Sequence, residues 1–318
     1  MTITITEVAC ATTLANEEVD YMDPMQLTWK IRFNEGGTWF TFGTSENVVC
    51  VTLAQPTGGL VQTIYETVAR VSCQAADGQT TQDDVKTQVW STFTSKDFER
   101  IDGTDLQYYG SWLTSYSMIP DLLLHCDGEC IAWAKLFVAM LKVHGRDPEN
   151  VEVEGIEIGP KAGHGEGFLI KEWDYVGQGH GGPPPIYHNI QLLNVEHVQN
   201  NAYVWGYSEA QDNSGPADHG GQNQPHPRSN FLVHWLVKLD GTYYDPSYGT
   251  TKATLAGFDA DNVSGYYDRE PLVWINEANY GGDTNGNHIP NENIQVIRWL
   301  VKQNPTAEDL EQKSTANW

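Results

Sequence analysis

The feature that most constrains the fold is a short turn sequence, Asp240-Gly241, which lies between two runs rich in β-forming residues. An Asp-Gly pair in this setting predicts a two-residue type I′ hairpin, whose loop fixes the register of both strands. In that register His234 and Asp245 lie on one face as diagonal neighbours, about 7–8 Å apart at the backbone. Side chains of this length can close the gap with a hydrogen bond. The turn therefore predicts a histidine beside a carboxylate.

A second stretch, residues 125–145, predicts a buried helix that begins close to a cysteine. From Trp133 onward its apolar residues recur every three or four positions, which is typical of a helix packed on a core, and Gly145 is a natural stop. Asp127-Gly128 has the composition of an N-cap and tight turn, which places Cys130 in the first helical turn. Free backbone N–H groups and the helix dipole favour a thiolate there. Cys130 is thus a candidate nucleophile, although a simple core role is commoner for such a residue.

These two segments resemble those of transglutaminase-like proteins, which belong to the papain-type superfamily of thiol enzymes. Residues 128–134, Gly-Glu-Cys-Ile-Ala-Trp-Ala, are similar to the segment that opens the nucleophile helix of that family, and residues 234–246 are similar to its later histidine hairpin. The resemblance implies that Cys130 is the nucleophile, His234 the general base and acid, and Asp245 the residue that orients the histidine. It also implies an α+β fold, with a papain-like core of helices packed on an antiparallel sheet.

Further site residues follow from the same resemblance. In such enzymes a polar side chain from the segment before the nucleophile completes the oxyanion site, and Gln107 and Trp112 are the candidates here. Trp133, Trp235 and Tyr244 are candidates for the walls of a substrate cleft, because they are aromatic and lie close in sequence to the three catalytic candidates. Core packing explains each of these aromatic residues equally well.

The implied reaction is acyl transfer through a Cys130 thioester on the carboxamide of a glutamine side chain. The expected partners are a protein or peptide that carries glutamine, and a primary amine or water as acceptor. Two alternatives stay open, a cysteine peptidase or amidase and a non-catalytic binding module on the same scaffold, because the family also contains inactive members.

No cofactor is required by this chemistry, but one stretch has calcium-like spacing. Asp283, Asn285 and Asn287 occupy alternate positions, as calcium ligands do, within a segment rich in glycine and asparagine. Ile294 stands where the bidentate glutamate of an EF-hand loop belongs, so an ordinary Asn/Gly turn is the competing interpretation.

Composition narrows the partners and the compartment. A net charge of −24, from 18 basic and 42 acidic residues, argues against nucleic acid and anionic membranes, because both require basic surface. No apolar run reaches the ~18 residues of a membrane span, the start lacks signal-peptide features, and the acidic, lysine-poor composition favours an extracellular or periplasmic bacterial protein. Four cysteines besides Cys130 allow up to two disulfides of undefined pairing: Cys10, Cys50, Cys73 and Cys126.

The chain order suggests three parts. Residues 1–56 contain short alternating runs and predict a small N-terminal β module. Residues 57–304 would form the transglutaminase-like catalytic domain, with irregular loops over residues 175–230 that could wall a cleft. Residues 305–318 are polar and predict a loose tail.

Overall fold

A computed structural model describes residues 18–34, 36–57, 64–109, 116–146, 153–170, 191–199, 202–205, 220–224, 227, 230–276, 293–303, 309–316 and 318. Within these ranges the chain forms five helices and mainly antiparallel sheets, which confirms the predicted α+β class. No helix in the described part of the chain is long and apolar enough to cross a membrane.

The chain divides into two compact units whose boundaries differ from the predicted ones. The first unit comprises residues 1–92 and 139–147, and the second comprises residues 93–138 and 148–318. The N-terminal strands therefore group with the helical segments that follow them, where the prediction separated them at residue 56. The two units share helices, since the boundaries fall inside α2 (Gln82–Thr94) and α4 (Cys130–Val143).

The first unit begins with a long hairpin of β1 (Asp20–Ile31) and β2 (Phe40–Val51). Two of the short alternating runs in the predicted β module, at 38–42 and 47–53, fall largely within the single strand β2, which pairs with β1. The hairpin is attached to α1 (Glu66–Ala75) by an ion pair between Asp23 and Arg70. The strand predicted at residues 1–6 lies outside the described residues.

The second unit contains two larger antiparallel sheets. The five-stranded sheet has the order β12 (Thr250–Lys252), β11 (Thr242–Asp245), β10 (His234–Leu239), β5 (Val153–Pro160), β15 (Leu310–Ala316). The six-stranded sheet has the order β8 (Ala202–Trp205), β7 (Gln191–Gln199), β14 (Asn293–Gln303), β13 (Val263–Asn276), β6 (Gly167–Ile170), β9 (Asn230–Phe231). The remaining elements are the parallel pair β3 (Gln107–Tyr108) and β4 (Asp127–Gly128) and the helices α3 (Ile119–His125) and α5 (Leu255–Asn262).

Two predictions of irregular structure were wrong. The segment predicted as a loose tail contains β15, which pairs antiparallel with β5 at the edge of the five-stranded sheet. The stretch at residues 175–230 contains β7, β8 and β9, and β7 pairs with β14. In both cases a neighbouring strand supplies the backbone partners, so a segment with weak β-propensity still forms a strand.

The predicted apolar stripe of α4 is confirmed as core. Its members are all at most 1 % exposed: Trp133, Leu136, Phe137, Met140 and Leu141. Gly145 has a φ of +80° and ends the helix as predicted. Within the second unit the ring of Phe137 lies 5.5 Å from that of Tyr244 in β11, so this packing sets the start of α4 beside the hairpin β10–β11.

Candidate active site

Cys130 is the first residue of α4 and is 5 % exposed. Its predicted place in the first turn is confirmed, but the predicted N-cap is not. Asp127 lies in β4, three residues before the helix, and the carbonyl of Glu129 accepts the N–H of Trp133 at 3.3 Å. Because the N-cap carbonyl accepts the first helical bond, Glu129 takes that position.

The backbone before Cys130 is held by the pair β3–β4. The backbone N–H of Gln107 donates to the carbonyl of Cys126 at 2.9 Å, and the backbone N–H of Tyr109 donates to the carbonyl of Gly128 at 3.2 Å. Gly128 also has no room for a side chain, since a Cβ there would lie 2.9 Å from Leu122. These bonds fix the approach to Cys130 with little freedom.

The hairpin β10–β11 has the predicted turn and register. Leu239 lies opposite Thr242, and the loop is Asp240-Gly241. Both loop residues have positive φ, +52° and +77°, as a type I′ turn requires. The turn therefore sets the two strands as the sequence predicted.

His234 and Asp245 meet across this hairpin. Nε2 of His234 lies 2.9 Å from Oδ2 of Asp245, and the two residues are 0 % and 1 % exposed. The other carboxylate oxygen, Oδ1, accepts the backbone N–H groups of Ser247 at 3.1 Å and of Tyr248 at 3.4 Å. Because both oxygens are engaged, the carboxylate is held in one orientation and in turn orients the imidazole.

The electrostatics of the site favour a charged histidine. Burial is the largest influence on the pKa of His234 and lowers it, but the charges of Asp245 and Cys130, with their hydrogen bonds to the ring, raise that pKa to about 10. The ring is therefore an imidazolium at neutral pH. A negatively charged sulfur beside it is the form in which a cysteine attacks a carbonyl.

Geometry identifies which ring nitrogen serves the thiol. Nε2 faces Asp245, so Nδ1 is the nitrogen left for Cys130. Within the described residues Nδ1 makes no hydrogen bond of standard geometry. Cys130 is nevertheless close enough to the ring to raise the pKa of His234. Catalytic hydrogen bonds often tighten only when substrate binds.

Aromatic rings surround the histidine, and the sequence did not single them out. The ring of Phe231 lies 4.8 Å from that of His234, the ring of Tyr248 lies 5.9 Å away, and that of Phe258 lies 6.5 Å away. They come from β9, from the turn after Asp245 and from α5. An available signal was the position of Tyr248, directly after the predicted end of the acid strand. The rings exclude water from the imidazole and strengthen its interactions.

Two of the predicted cleft residues are core residues instead. Trp133 is 0 % exposed, and its ring packs edge-on against Phe98 at 5.7 Å and Phe93 at 6.4 Å. Tyr244 is 9 % exposed and packs against Phe137. Aromatic side chains bury a large apolar area when their rings pack together, which explains why both residues belong to the core.

The third, Trp235, is half-buried, and its ring lies 5.3 Å from that of Trp318. Adjacent strand residues point to opposite faces, so Trp235 does not share the face of His234. Of the oxyanion candidates, Gln107 lies in β3 opposite Asp127 and is half-buried, whereas Trp112 lies outside the described residues.

The calcium candidates Asp283, Asn285 and Asn287 also lie outside the described residues. Among the residues that the structure describes, no group of three or more His, Cys, Asp or Glu side chains could hold a metal ion. The four described cysteines are free thiols: Cys50, Cys73, Cys126 and Cys130. Cys10, the remaining member of the predicted set, lies outside the described residues, so any disulfide that involves it stays a prediction.

Comparison of the chain with protein-family models, with curated proteins and with solved structures gave no match. The functional interpretation therefore depends on the residues of the site.

Proposed function

We propose that this protein is a transglutaminase-like thiol enzyme that transfers the acyl group of a glutamine carboxamide to a primary amine or to water. The observation that carries the proposal is the buried position of His234, with Asp245 on one ring nitrogen and Cys130 beside the ring. A buried imidazolium must be compensated by negative partners. A core that serves only the stability of the fold does not require such a charged group, whereas a catalytic site does.

Each residue has a defined task in this reaction. The sulfur of Cys130 attacks the carboxamide carbon and forms a C–S bond while the C=O electron pair moves to oxygen. The C–N bond then breaks, and His234 gives its proton to the departing ammonia. An amine or water next attacks the thioester and loses a proton to His234, and the sulfur leaves as thiolate. Asp245 holds the ring in the tautomer that these transfers require.

The burial of the nucleophile supports a side-chain carboxamide as substrate. Cys130 is 5 % exposed and His234 is 0 % exposed. The slender end of a glutamine side chain reaches a recessed sulfur end-on, whereas a peptide bond requires an open groove on both sides. This favours the glutamine reaction over backbone hydrolysis.

A glutamine peptide incubated with a primary amine, followed by mass spectrometry, tests the proposal. We expect an amine adduct together with some deamidated peptide, because water at ~55 M competes with the amine unless a site holds the amine at high effective concentration. Cys130→Ala should abolish both products and keep the wild-type melting temperature. Cys126→Ala, which removes a second free thiol four residues earlier, is the matched control and should retain activity.

The other outcomes separate the alternatives. A product shifted only to the deamidated acid identifies a glutaminase, and cleavage of the peptide backbone identifies a peptidase. No product at all, with slow alkylation of Cys130 by iodoacetamide, identifies a binding module. Products that persist in folded Cys130→Ala contradict the proposal outright.

A further inference from the structure

The hydroxyl of Tyr108 is an unexplained polar group close to the triad. Tyr108 is 0 % exposed, and its hydroxyl has no hydrogen-bond partner among the described residues. A buried donor left unpaired costs about 1–3 kcal/mol, and phenylalanine would fill the same space without that cost. Within the described residues this hydroxyl makes no stabilising hydrogen bond, which leaves it available to donate to a bound group.

The backbone places Tyr108 beside the nucleophile. In the parallel pair β3–β4, Tyr108 lies opposite Gly128, two residues before Cys130. Its ring packs edge-on against that of Tyr248 at 5.2 Å, and Tyr248 in turn packs against His234. Tyr108 thus contacts one of the rings that pack against His234, and its backbone pairs with the segment that leads to Cys130.

The ring of Tyr108 has little freedom to turn away. The backbone N–H of Tyr108 donates to the carbonyl of Gln222 at 2.9 Å. Gly221 approaches the ring so closely that a Cβ there would lie 2.6 Å from Cδ1 of Tyr108. A phenol held in this way is pre-organised, and such donors stabilise a developing charge without reorganisation.

The hydroxyl also keeps its proton throughout the working pH range. Burial, followed by the neighbouring Tyr248 and the charge of Cys130, raises the pKa of Tyr108 well above its usual value. Tyr108 consequently remains a hydrogen-bond donor close to Cys130. Gln107, the neighbouring residue, points to the opposite side of the extended segment and is half-buried, so it is less suited to this task.

We propose that Tyr108 is a catalytic residue whose hydroxyl donates a hydrogen bond to the substrate carbonyl oxygen as that oxygen becomes negatively charged. The inference rests on the proposed function, because it assigns the oxyanion donor of the same reaction. When the sulfur attacks, the C–S bond forms and the C=O π pair moves to oxygen, where Tyr108 and the backbone N–H of Cys130 meet it. Tyr108 loses no proton in the step.

The variant Tyr108→Phe provides the test, with three measurements. The first is kcat/KM on a glutamine peptide, which should fall roughly 100-fold, the low end for loss of one oxyanion donor. The second is the rate at which iodoacetamide alkylates Cys130, which should not change, since that reaction creates no oxyanion. The third is the melting temperature, which should stay the same or rise because an unpaired buried hydroxyl is gone.

A matched control removes a hydroxyl that has a partner. The hydroxyl of Tyr266 donates to Asp259 at 2.8 Å. This pair is separate from the triad residues both in sequence and in this hydrogen bond. Tyr266→Phe should lower the melting temperature and leave kcat/KM and alkylation unchanged. Equal loss of kcat/KM in both variants would overturn the role of Tyr108, since it would point to a general effect on the fold.

Binding of butanal separates this inference from the proposed function. Butanal has the chain length of a glutamine side chain, and the Cys130 thiol adds across its C=O bond: sulfur bonds to carbon, and the thiol proton passes to oxygen. Protection of Cys130 from iodoacetamide measures its affinity, with Cys130→Ala as the blank. Tyr108→Phe should bind butanal about tenfold more weakly.

Each result of the butanal experiment decides the matter. Weaker binding by Tyr108→Phe supports the role of Tyr108 even if the wild-type chain turns over no glutamine peptide, in which case the proposed function alone fails. Equal binding by both proteins overturns the role of Tyr108 even if turnover is found. A slower alkylation of Tyr108→Phe also overturns it, because the hydroxyl would then act on the thiol.

Discussion

His144 and His234 are both fully buried, yet their surroundings give them opposite charge states. Burial lowers the pKa of His144 to about 4, and the hydrogen bond with Ser72, whose hydroxyl lies 3.0 Å from Nε2, opposes this only in part. Burial lowers the pKa of His234 as well, but Asp245 and Cys130 raise it to about 10. Burial alone thus makes a histidine neutral, and only facing negative groups keep it charged. His234, which faces Asp245 and Cys130, is therefore better suited to proton transfer than His144.

The neutral histidine has a structural task within the first unit. The hydroxyl of Ser72 donates to the carbonyl of Met140 at 2.8 Å, so its oxygen accepts the proton of His144 Nε2. This chain of bonds joins α1 to the end of α4. The carbonyl of His144 also accepts the side-chain amide of Gln82 at 2.7 Å. His144 therefore serves stability, and a charge on its ring would have no partner among these groups.

Replacement of Asp245 by asparagine should break the comparison most strongly. Oδ1 of Asp245 accepts two backbone N–H groups, so the asparagine amide must place its oxygen there and its NH2 group toward His234. His234 then holds its proton on Nδ1, the nitrogen that faces Cys130, and cannot accept another. We expect turnover to fall by roughly 10³–10⁴-fold, the scale found for the acid of a Ser-His-Asp triad.

Steady-state kinetics on a glutamine peptide measure this loss, and circular dichroism checks that the variant folds. Asp259→Asn is a comparison variant, since Asp259 is also a buried carboxylate that accepts backbone N–H groups, those of Asp309 and Leu310. It should affect stability and leave chemistry intact. An Asp245→Asn enzyme within a few-fold of the parent rate would show that another group orients His234.

The raised pKa of His234 should make the fold less stable in alkali. The pKa of His234 is about 10 in the folded chain and 6.5 in the unfolded chain. Its contribution to the free energy of unfolding is therefore complete below pH 6.5 and is lost as the pH rises through 10. Urea unfolding at about pH 7 and about pH 9.5 measures the loss. In Asp245→Asn the alkaline loss should shrink, since the main partner of the charge is gone. An unchanged alkaline slope in that variant contradicts the assignment.

The lowered pKa of His144 should act with the opposite sign. The unfolded chain binds the proton near pH 6.5, whereas the folded chain resists it until pH 4, so stability falls as the solution is acidified between these values. The shift corresponds to roughly 3 kcal/mol of unfolding free energy at the acid end. His144→Gln keeps a donor for Ser72 and should show an acid slope that is weaker by this amount. Equal acid slopes would show that His144 titrates normally in the fold.

The smallest expected effect concerns the turn that builds the charged site. Gly241 has a φ of +77°, and a Cβ there would meet nothing within 4 Å, so Gly241→Ala adds backbone strain without a clash. We expect a loss of about 1 kcal/mol in unfolding free energy, with kcat/KM unchanged. Gly145, after α4, has a φ of +80° and would also press a Cβ against Ala54 at 2.6 Å, so Gly145→Ala should cost more. A larger loss at Gly241 than at Gly145 would reverse this order.

The features that could be predicted from sequence depend on local chemistry. Asp240-Gly241 tolerates positive φ at both positions, and that property alone sets the register that brings His234 to Asp245. The apolar repeat of α4 and its stop at Gly145 are local as well. Such signals lie within a few residues of the structure they specify, which is why the turn, the helix and the pairing of His234 with Asp245 were predicted correctly.

Tertiary structure decided the remaining features, because they arise between segments far apart in the chain. The polar segment of β15 becomes a strand only because β5 offers a free edge. Trp133 becomes core because Phe93 and Phe98 meet its ring. Tyr108 lies opposite Gly128, two residues before Cys130, through the pairing of β3 with β4, which leaves no mark in side-chain periodicity. Sequence by itself determined the turn and the helix that position His234, Asp245 and Cys130, and long-range packing and backbone pairing determined which side chains surround them.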